Sequence, residues 1–319
     1  MLVLGGKSRL TLIRVANYYQ RIDSLRWTPY LDDCLQMLAE QKEHSTDLFL
    51  AQLVRLQLIV ERVTQAPWND YGQAESTSSL RAPSNFCLKA LQERLSDFKS
   101  RSPPEFLQNR MSIHGPPDEY LLTLLATEIL LLRLYSTELV IHEVALCKVD
   151  INSNATDFQR LDCLYTCLHA VKNWFDIFLS IPPARYVGVS MAEFTQMAHC
   201  MIALYRLSTF EWPDWDRGLV RNYASLSMIL DQLVANFAQV KATVDLDKGI
   251  VDNIDVFSIT SRTLNHIKTW WDPKVAGESL RSDAPAMDET MGEASMDLLD
   301  DAWLQDVFGT GPYRFESFG

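Results

Sequence analysis

The chain has 319 residues, 47% of them hydrophobic, which is enough to bury a large core in one domain or in two closely packed lobes. Its 41 acidic residues outnumber its 29 Lys and Arg residues, so the net charge is −12, and no consecutive basic residues occur. These features exclude a largely disordered chain, and they argue against self-sufficient nucleic-acid binding, which needs a basic surface.

Helical signals dominate the first 100 residues, and strand signals are scarce. Apolar residues at helical spacing predict helices over 8–21, from Thr28 through Leu38, and over 45–66, where Ser45 or Thr46 with Asp47 can cap. A polar, turn-rich loop at 67–81 precedes a fourth predicted helix at 84–100. The sequence therefore predicts an all-α fold from its start.

The most apolar stretch follows a proline-containing break and predicts a long helix from Asp118 to about Leu146. Glu128, Arg133 and Glu138 lie inside its apolar run, which favours a buried helix over a membrane span. Charges in so apolar a helix must be paired or must face a cavity. We regard these three residues as candidates for an effector crevice, with pairing across helices as the alternative.

Four further helices are predicted, over 157–181, 190–207, 217–240 and 255–271. The two prolines at 182 and 183 end the first of them. Ser190 with Glu193 three residues later predicts a capping box at the start of the second.

The segment FEWPDWDRG, 210–218, places Trp212 and Trp215 beside Asp214 and Asp216. Acidic residues before a helix are favoured by its dipole, so we predict a tight inter-helix turn pinned by the two indoles. A ligand site, including one for a sugar, is the alternative.

Other patterns point to chemistry only weakly. Gly6, Lys7 and Ser8 match the end of a phosphate loop without its first glycine, and GVSMA at 188–192 lacks the closing glycine of a nucleophile elbow. Cys163, Cys167 and His169 lie at spacings that could suit a metal, but such cysteines are also common in cores. We predict no catalytic residue, no cofactor and no metal site, and six free thiols in a reducing compartment.

The end of the chain changes in character. Residues 275–295 contain almost no large apolar side chains and predict a flexible linker. In MDLLDDAWLQDVFG, 296–309, acidic residues surround an amphipathic apolar stripe that predicts an activation segment folding against a coactivator groove. The residues of this predicted partner-binding stripe are Leu298, Leu299, Trp303, Leu304, Val307 and Phe308. The alternative is a helix that folds back on its own domain.

Several phrases together resemble one family: GGKSRLTLIRVANYY, WTPYLDDCLQML, STDLFLAQLVRLQLIVERV, RLYSTELVIHEVAL, LDCLYTCLHAVKNWFDIFLSIPPARYVGVSM and LYRLSTFEWPDWD. From about residue 7 to 245 the chain resembles the regulatory region of fungal transcription factors of the binuclear zinc cluster type. The resemblance implies an all-helical, non-catalytic regulatory domain in a nuclear protein that controls RNA polymerase II transcription, often of metabolic or secondary-metabolite genes. It also implies coactivator or general transcription machinery as partners, and homodimers or heterodimers.

The chain departs from that family at its start. Members begin with a CxxCx6C arrangement that binds zinc, whereas the first cysteine here is Cys34 and none of the six has that spacing. We expect zinc to belong to a missing N-terminal cluster, and DNA to be reached only through that module or a partner. The competing hypothesis is a helical scaffold that dimerises with an intact regulator and inhibits it.

The predicted organisation is a large multi-helix regulatory domain over 1–273 followed by a flexible acidic tail over 274–319. Within the domain we expect two helical lobes, about 1–100 and 118–271. Target genes, the effector and the oligomeric state do not follow from the sequence.

Overall fold

The computed structural model describes residues 27–44, 46–64, 84–103, 106, 117–146, 157–212, 214–244 and 256–282. These residues form nine α-helices and two short 3₁₀ helices and contain no β-strand. The all-α prediction is therefore confirmed. The predicted helix at 8–21 lies outside the described residues.

The helices follow the predicted order closely up to residue 209. We number them α1 Pro29–Gln41, α2 Asp47–Thr64, α3 Ser84–Arg101, α4 Pro117–His142, α5 Asp157–Ser180, α6 Met191–Thr209, α7 Arg217–Tyr223, α8 Leu226–Val244 and α9 Val256–Ser282. The 3₁₀ helices are Glu143–Leu146 and Pro183–Gly188.

Helix α4 organises the core because it is apolar on nearly every side and must be covered all round. It packs against α2, α3, α5 and α6. Its Leu130 and Leu134 join a cluster of buried side chains from α2 and α3 that includes Phe49 and Leu95. Among the described helices, none has the length and apolarity needed to cross a bilayer. The prediction of a buried helix here is thus confirmed.

Aromatic side chains fill the core between α5, α6 and the second 3₁₀ helix. Trp174 is fully buried, its ring stacks on Phe178 at a centroid distance of 5.0 Å, and it meets Phe175 edge-on at 5.2 Å. The Tyr186 hydroxyl donates to the carbonyl of Phe178 at 3.3 Å. These contacts fix how the 3₁₀ turn leads from α5 into α6.

The predicted single helix over 217–240 is wrong, because the chain breaks between α7 and α8. Ala224 leaves the helical region with φ −137° and ψ 83°, and its N–H closes the last turn of α7 onto Val220. Ser225 stands directly before α8, where serine is preferred as an N-cap, so this signal was present in the sequence.

Helix α9 also differs from its prediction, since it continues from Trp271 through Pro273 to Ser282. Proline lacks the backbone N–H that would bond four residues back, which is why the sequence suggested an end there. Residues 275–282 are consequently helical and do not start the predicted linker. The rest of the linker and the tail lie outside the described residues.

Contacts divide the chain into two compact units, Met1–Ser225 and Leu226–Gly319. The two predicted lobes stay a prediction. Within the first unit, α2, α3 and α4 share one core. In the second, α8 and α9 pack together through buried Leu233, Phe237 and Leu264, and Ser227 donates to Asp272 at 2.7 Å.

Replacing Trp174 with Ala should lower the free energy of unfolding by about 3–5 kcal/mol, because a fully buried indole leaves a cavity. Urea denaturation followed by circular dichroism measures the change. The matched control is Phe158→Ala in the same helix, which removes an aromatic ring that is 78% exposed and should cost under about 0.5 kcal/mol. Equal losses for the two variants would contradict this description of the core.

Candidate functional site

The first predicted crevice residue, Glu128 of α4, is buried and pairs with Arg185 of the second 3₁₀ helix, with Oε1 and Nη2 3.0 Å apart. Its other oxygen, Oε2, is buried without a hydrogen-bond partner, as is Nη1 of Arg185. Burial raises the pKa of the Glu128 carboxyl, and the Arg185 charge only partly offsets this effect. The pair is therefore only half satisfied by hydrogen bonds.

The second residue, Arg133, is the centre of a buried polar network between α4 and α6. Its Nη2 lies 3.4 Å from Oε1 of Glu193, and Glu193 in turn accepts from the hydroxyl of Ser190. With its oxygen toward the guanidinium, the Gln196 amide accepts from Nη1 at 2.6 Å, whereas the opposite orientation would set donors against donors.

Ser190 is the predicted N-cap of α6, and its hydroxyl oxygen accepts from the N–H of Ala192 at 3.2 Å. Glu193 bonds the Ser190 hydroxyl, so the capping residues also belong to the buried network. The start of α6 is thus tied directly to Arg133 of α4.

The third residue, Glu138, accepts from Nζ of Lys99 on α3 at 2.5 Å. The three predicted crevice residues of α4 therefore pair with other elements, which is the alternative that the sequence left open. Effector binding by these residues stays a prediction. Their partners Lys99, Arg185 and Glu193 carry no sequence signal that links them to α4.

The predicted partner-binding stripe lies outside the described residues. Its members are Leu298, Leu299, Trp303, Leu304, Val307 and Phe308.

The turn at 210–217 is built on Trp215, which is buried and donates its Nε1–H to the carbonyl of Leu207 at 2.8 Å. Its ring also packs on Tyr165 of α5 at a centroid distance of 4.9 Å. Asp216 caps α7, because its carboxylate accepts from the N–H of Leu219 at 3.0 Å.

The second indole of this turn, Trp212, meets a cation that sequence analysis missed. The guanidinium carbon of Arg160 lies 4.3 Å from the centre of the Trp212 ring and 5.4 Å from that of Phe210. Arg160 is itself held by a hydrogen bond from Nε to the carbonyl of Ala145 at 3.0 Å. No local pattern could have indicated this contact, since Arg160 is distant in sequence.

An open cleft of about 400 Å³ lies at this turn. Its lining consists of three aromatic rings and one ion pair: Phe210, Glu211, Trp212, Trp215 and Arg217. Arg217 lies 3.4 Å from Glu211, and both side chains are largely exposed. We call this feature the aromatic cleft.

The buried cysteines are poorly suited to reaction. Burial raises the pKa of Cys163 to about 11 and raises those of Cys167 and Cys200 well above the usual thiol value, so the thiols stay protonated. His169 is exposed and lies 2.8 Å from the Tyr223 hydroxyl. Within the described ranges, no group of three or more His, Cys, Asp and Glu side chains is placed to hold a metal ion.

A half-buried ion pair joins α6 to the first 3₁₀ helix, where His199 Nε2 lies 2.6 Å from Glu143 Oε2. Burial opposes the charged imidazolium, but the Glu143 carboxylate outweighs burial and raises the pKa of His199. This pair is therefore a contact whose strength depends on pH.

Comparison with known proteins places this arrangement in a family context. The chain is 32% identical over 260 residues to a Penicillium oxalicum protein named transcription factor opdL, covering 81% of this chain and 42% of that protein. The chain is a homologue of fungal transcription factors. The resemblance found in its sequence is thereby confirmed.

Two further relatives of this chain carry similar names. A transcription factor of Aspergillus terreus is 26% identical over 328 residues, covering 95% of the chain and 53% of the relative. Transcription factor himD of Aspergillus japonicus is 20% identical over 293 residues, covering 88% of the chain and 44% of the relative. The chain spans about half the length of the curated relatives it matches.

A family model named ATEG07667_C and described as a C-terminal domain matches residues 183–316. The match begins at the 3₁₀ helix that carries Arg185 and includes the aromatic cleft. No solved structure matches the chain significantly.

Replacing Arg185 with Met should destabilise the protein by about 3–5 kcal/mol near neutral pH, because Glu128 would remain buried without its cation. The additional change Glu128→Gln should recover much of this loss, since it removes the uncompensated charge. Urea denaturation of both variants measures the effect. The control is Arg101→Met, which removes an 82% exposed guanidinium whose Nη2 lies 3.9 Å from Oδ2 of Asp97. Because this pair is exposed, its loss should change the free energy of unfolding by under about 1 kcal/mol. A double variant less stable than Arg185→Met would contradict the assignment.

The His199–Glu143 pair should contribute at most about 1 kcal/mol, because both side chains are partly exposed. The folded state raises the pKa of His199, so the stabilisation is present at low pH and is lost as the pH rises through that value. The difference in unfolding free energy between wild type and His199→Asn should therefore shrink from about pH 6 to about pH 9. The control His266→Asn changes an exposed histidine of α9 and should show a smaller trend. A difference that grows with pH would contradict the pairing.

Proposed function

We propose that this chain is the helical regulatory domain of a fungal-type transcription factor that controls RNA polymerase II transcription. The observation that carries the proposal is its similarity to named fungal transcription factors over 81%, 95% and 88% of its length. The domain is non-catalytic in this proposal.

The proposed regulator acts in the nucleus, on metabolic or secondary-metabolite genes. None of its six cysteines has the zinc-cluster spacing, so it reaches DNA through a partner, as a homodimer or heterodimer, or through an N-terminal module outside this chain. The aligned part of the named relatives covers only 42–53% of their length, which leaves room in them for such a module.

Within this proposal, residues 296–309 are an acidic activation segment that binds coactivators or the general transcription machinery. Leu299, Trp303 and Val307 recur every four residues and would supply the apolar anchors, while the surrounding carboxylates keep the segment in solution. The matched family region extends to residue 316 and so includes this segment.

The second candidate function is an inhibitor that dimerises with an intact regulator. None of the six cysteines of the given chain has the zinc-cluster spacing, and a dimer partner that supplies no DNA-binding module would inactivate the dimer. The two candidates differ in what the chain does when it is brought to a promoter.

The experiment fuses the full chain to a foreign DNA-binding domain and measures a reporter gene. The wild-type fusion should activate, and the double change Leu299→Ala with Trp303→Ala should lower activation at least about fivefold, because anchor residues dominate such interfaces. The matched control, Tyr313→Ala, removes an aromatic ring of the same tail outside the stripe and should leave activation unchanged.

Two outcomes would contradict the proposal in different ways. Full activation by the double variant would remove the role of the tail. An inactive wild-type fusion that is expressed and nuclear would contradict an activator. If the same chain lowered transcription driven by a full-length homologue, the inhibitor would be favoured.

A further inference from the structure

The aromatic cleft, lined by Phe210, Glu211, Trp212, Trp215 and Arg217, has the size of a small-molecule site. Its volume of about 400 Å³ falls at the lower end of the range for ligand pockets, about 300–1,000 Å³. The cleft therefore has room for a compact ligand.

The aromatic wall of the cleft is held in place before any ligand arrives. Trp215 is fixed by its bond to the Leu207 carbonyl and by packing on Tyr165. Trp212 is fixed by the Arg160 guanidinium, which is anchored to the Ala145 carbonyl. A site whose rings are already ordered loses little conformational entropy on binding.

Arg217 gives the cleft a position for an anion. It is only loosely paired with Glu211, which is 74% exposed, so exchanging this carboxylate for that of a ligand costs little. The Arg160 guanidinium lies against Trp212 and Phe210 as well. Asp214 and Asp216 of the same turn are acidic, so an anion would be selected by direct pairing with Arg217 and not by the net charge of the turn.

A sugar is less well matched to this cleft than a planar ring. Sugar binding needs carboxylates or amides that accept hydroxyl protons, but Asp216 is committed to the cap of α7, and the cleft lining contains no amide side chain. The aromatic rings and the guanidinium, by contrast, offer stacking and a charge-assisted hydrogen bond together.

We propose that the aromatic cleft binds a small planar aromatic carboxylate. The ligand ring packs against the partly exposed rings of Phe210 and Trp212, beside the buried Trp215, and its carboxylate accepts hydrogen bonds from Arg217 in place of Glu211. The inference goes beyond the transcriptional role and does not depend on it, because it concerns binding by the isolated chain.

The test uses the full chain and 2-naphthoate as the probe, with calorimetry for affinity and the indole N–H signals of an NMR spectrum for location. We expect saturable binding that shifts the signals of Trp212 and Trp215, each assigned by substitution to Phe. Arg217→Gln should weaken binding about tenfold or more, because the charge-assisted hydrogen bond is lost. The neutral analogue 2-naphthalenemethanol should bind about tenfold more weakly than 2-naphthoate.

The matched control is Arg101→Gln, which changes an 82% exposed arginine with a loose carboxylate partner on α3 and should keep wild-type affinity within about twofold. Thermal melting followed by circular dichroism confirms that Arg217→Gln is folded, as expected for an exposed side chain. Absence of saturable binding, unshifted signals of Trp212 and Trp215, or unchanged affinity in Arg217→Gln would overturn the proposal. Tighter binding of a naphthylmethyl trimethylammonium cation would overturn the assignment to an anion.

Discussion

Burial of the apolar helix α4 is the constraint on which the rest of the first unit depends. Helix α4 has no polar side to expose, so α2, α3, α5 and α6 must surround it. Desolvated charges on α4 are costly unless they are paired, and Glu128, Arg133 and Glu138 each meet an opposite charge on another element. The pairs therefore tie α3, α6 and the second 3₁₀ helix to α4.

Helices α5 and α6, which pack on α4, also position the side chains of the aromatic cleft. Helix α5 packs on α4 and presents Tyr165 to Trp215, while the end of α6 offers the Leu207 carbonyl to the same indole. Arg160 at the start of α5 sets the position of Trp212. The cleft is thus open to solvent, yet its rings are supported by elements that the core holds.

Homology to fungal transcription factors gives this architecture a biological setting. Identities of 32%, 26% and 20% allow wide divergence at the surface. A family region that begins at residue 183 includes the connection from α5 to α6, the cleft, and both helices of the second unit. Recognition functions of the chain are consequently best sought there, whereas α4 and its pairs explain stability.

The sequence by itself determined the all-α class, most helix positions up to residue 209 and the Ser190 cap, because periodicity and capping are local properties. It failed at Ala224, where one backbone conformation divides a continuous apolar pattern, and at Pro273, which α9 accommodates. Only the tertiary structure decided that Arg185 meets Glu128 and that Arg160 covers Trp212. Such contacts join residues far apart in the chain, and they form only when packing brings two helices together.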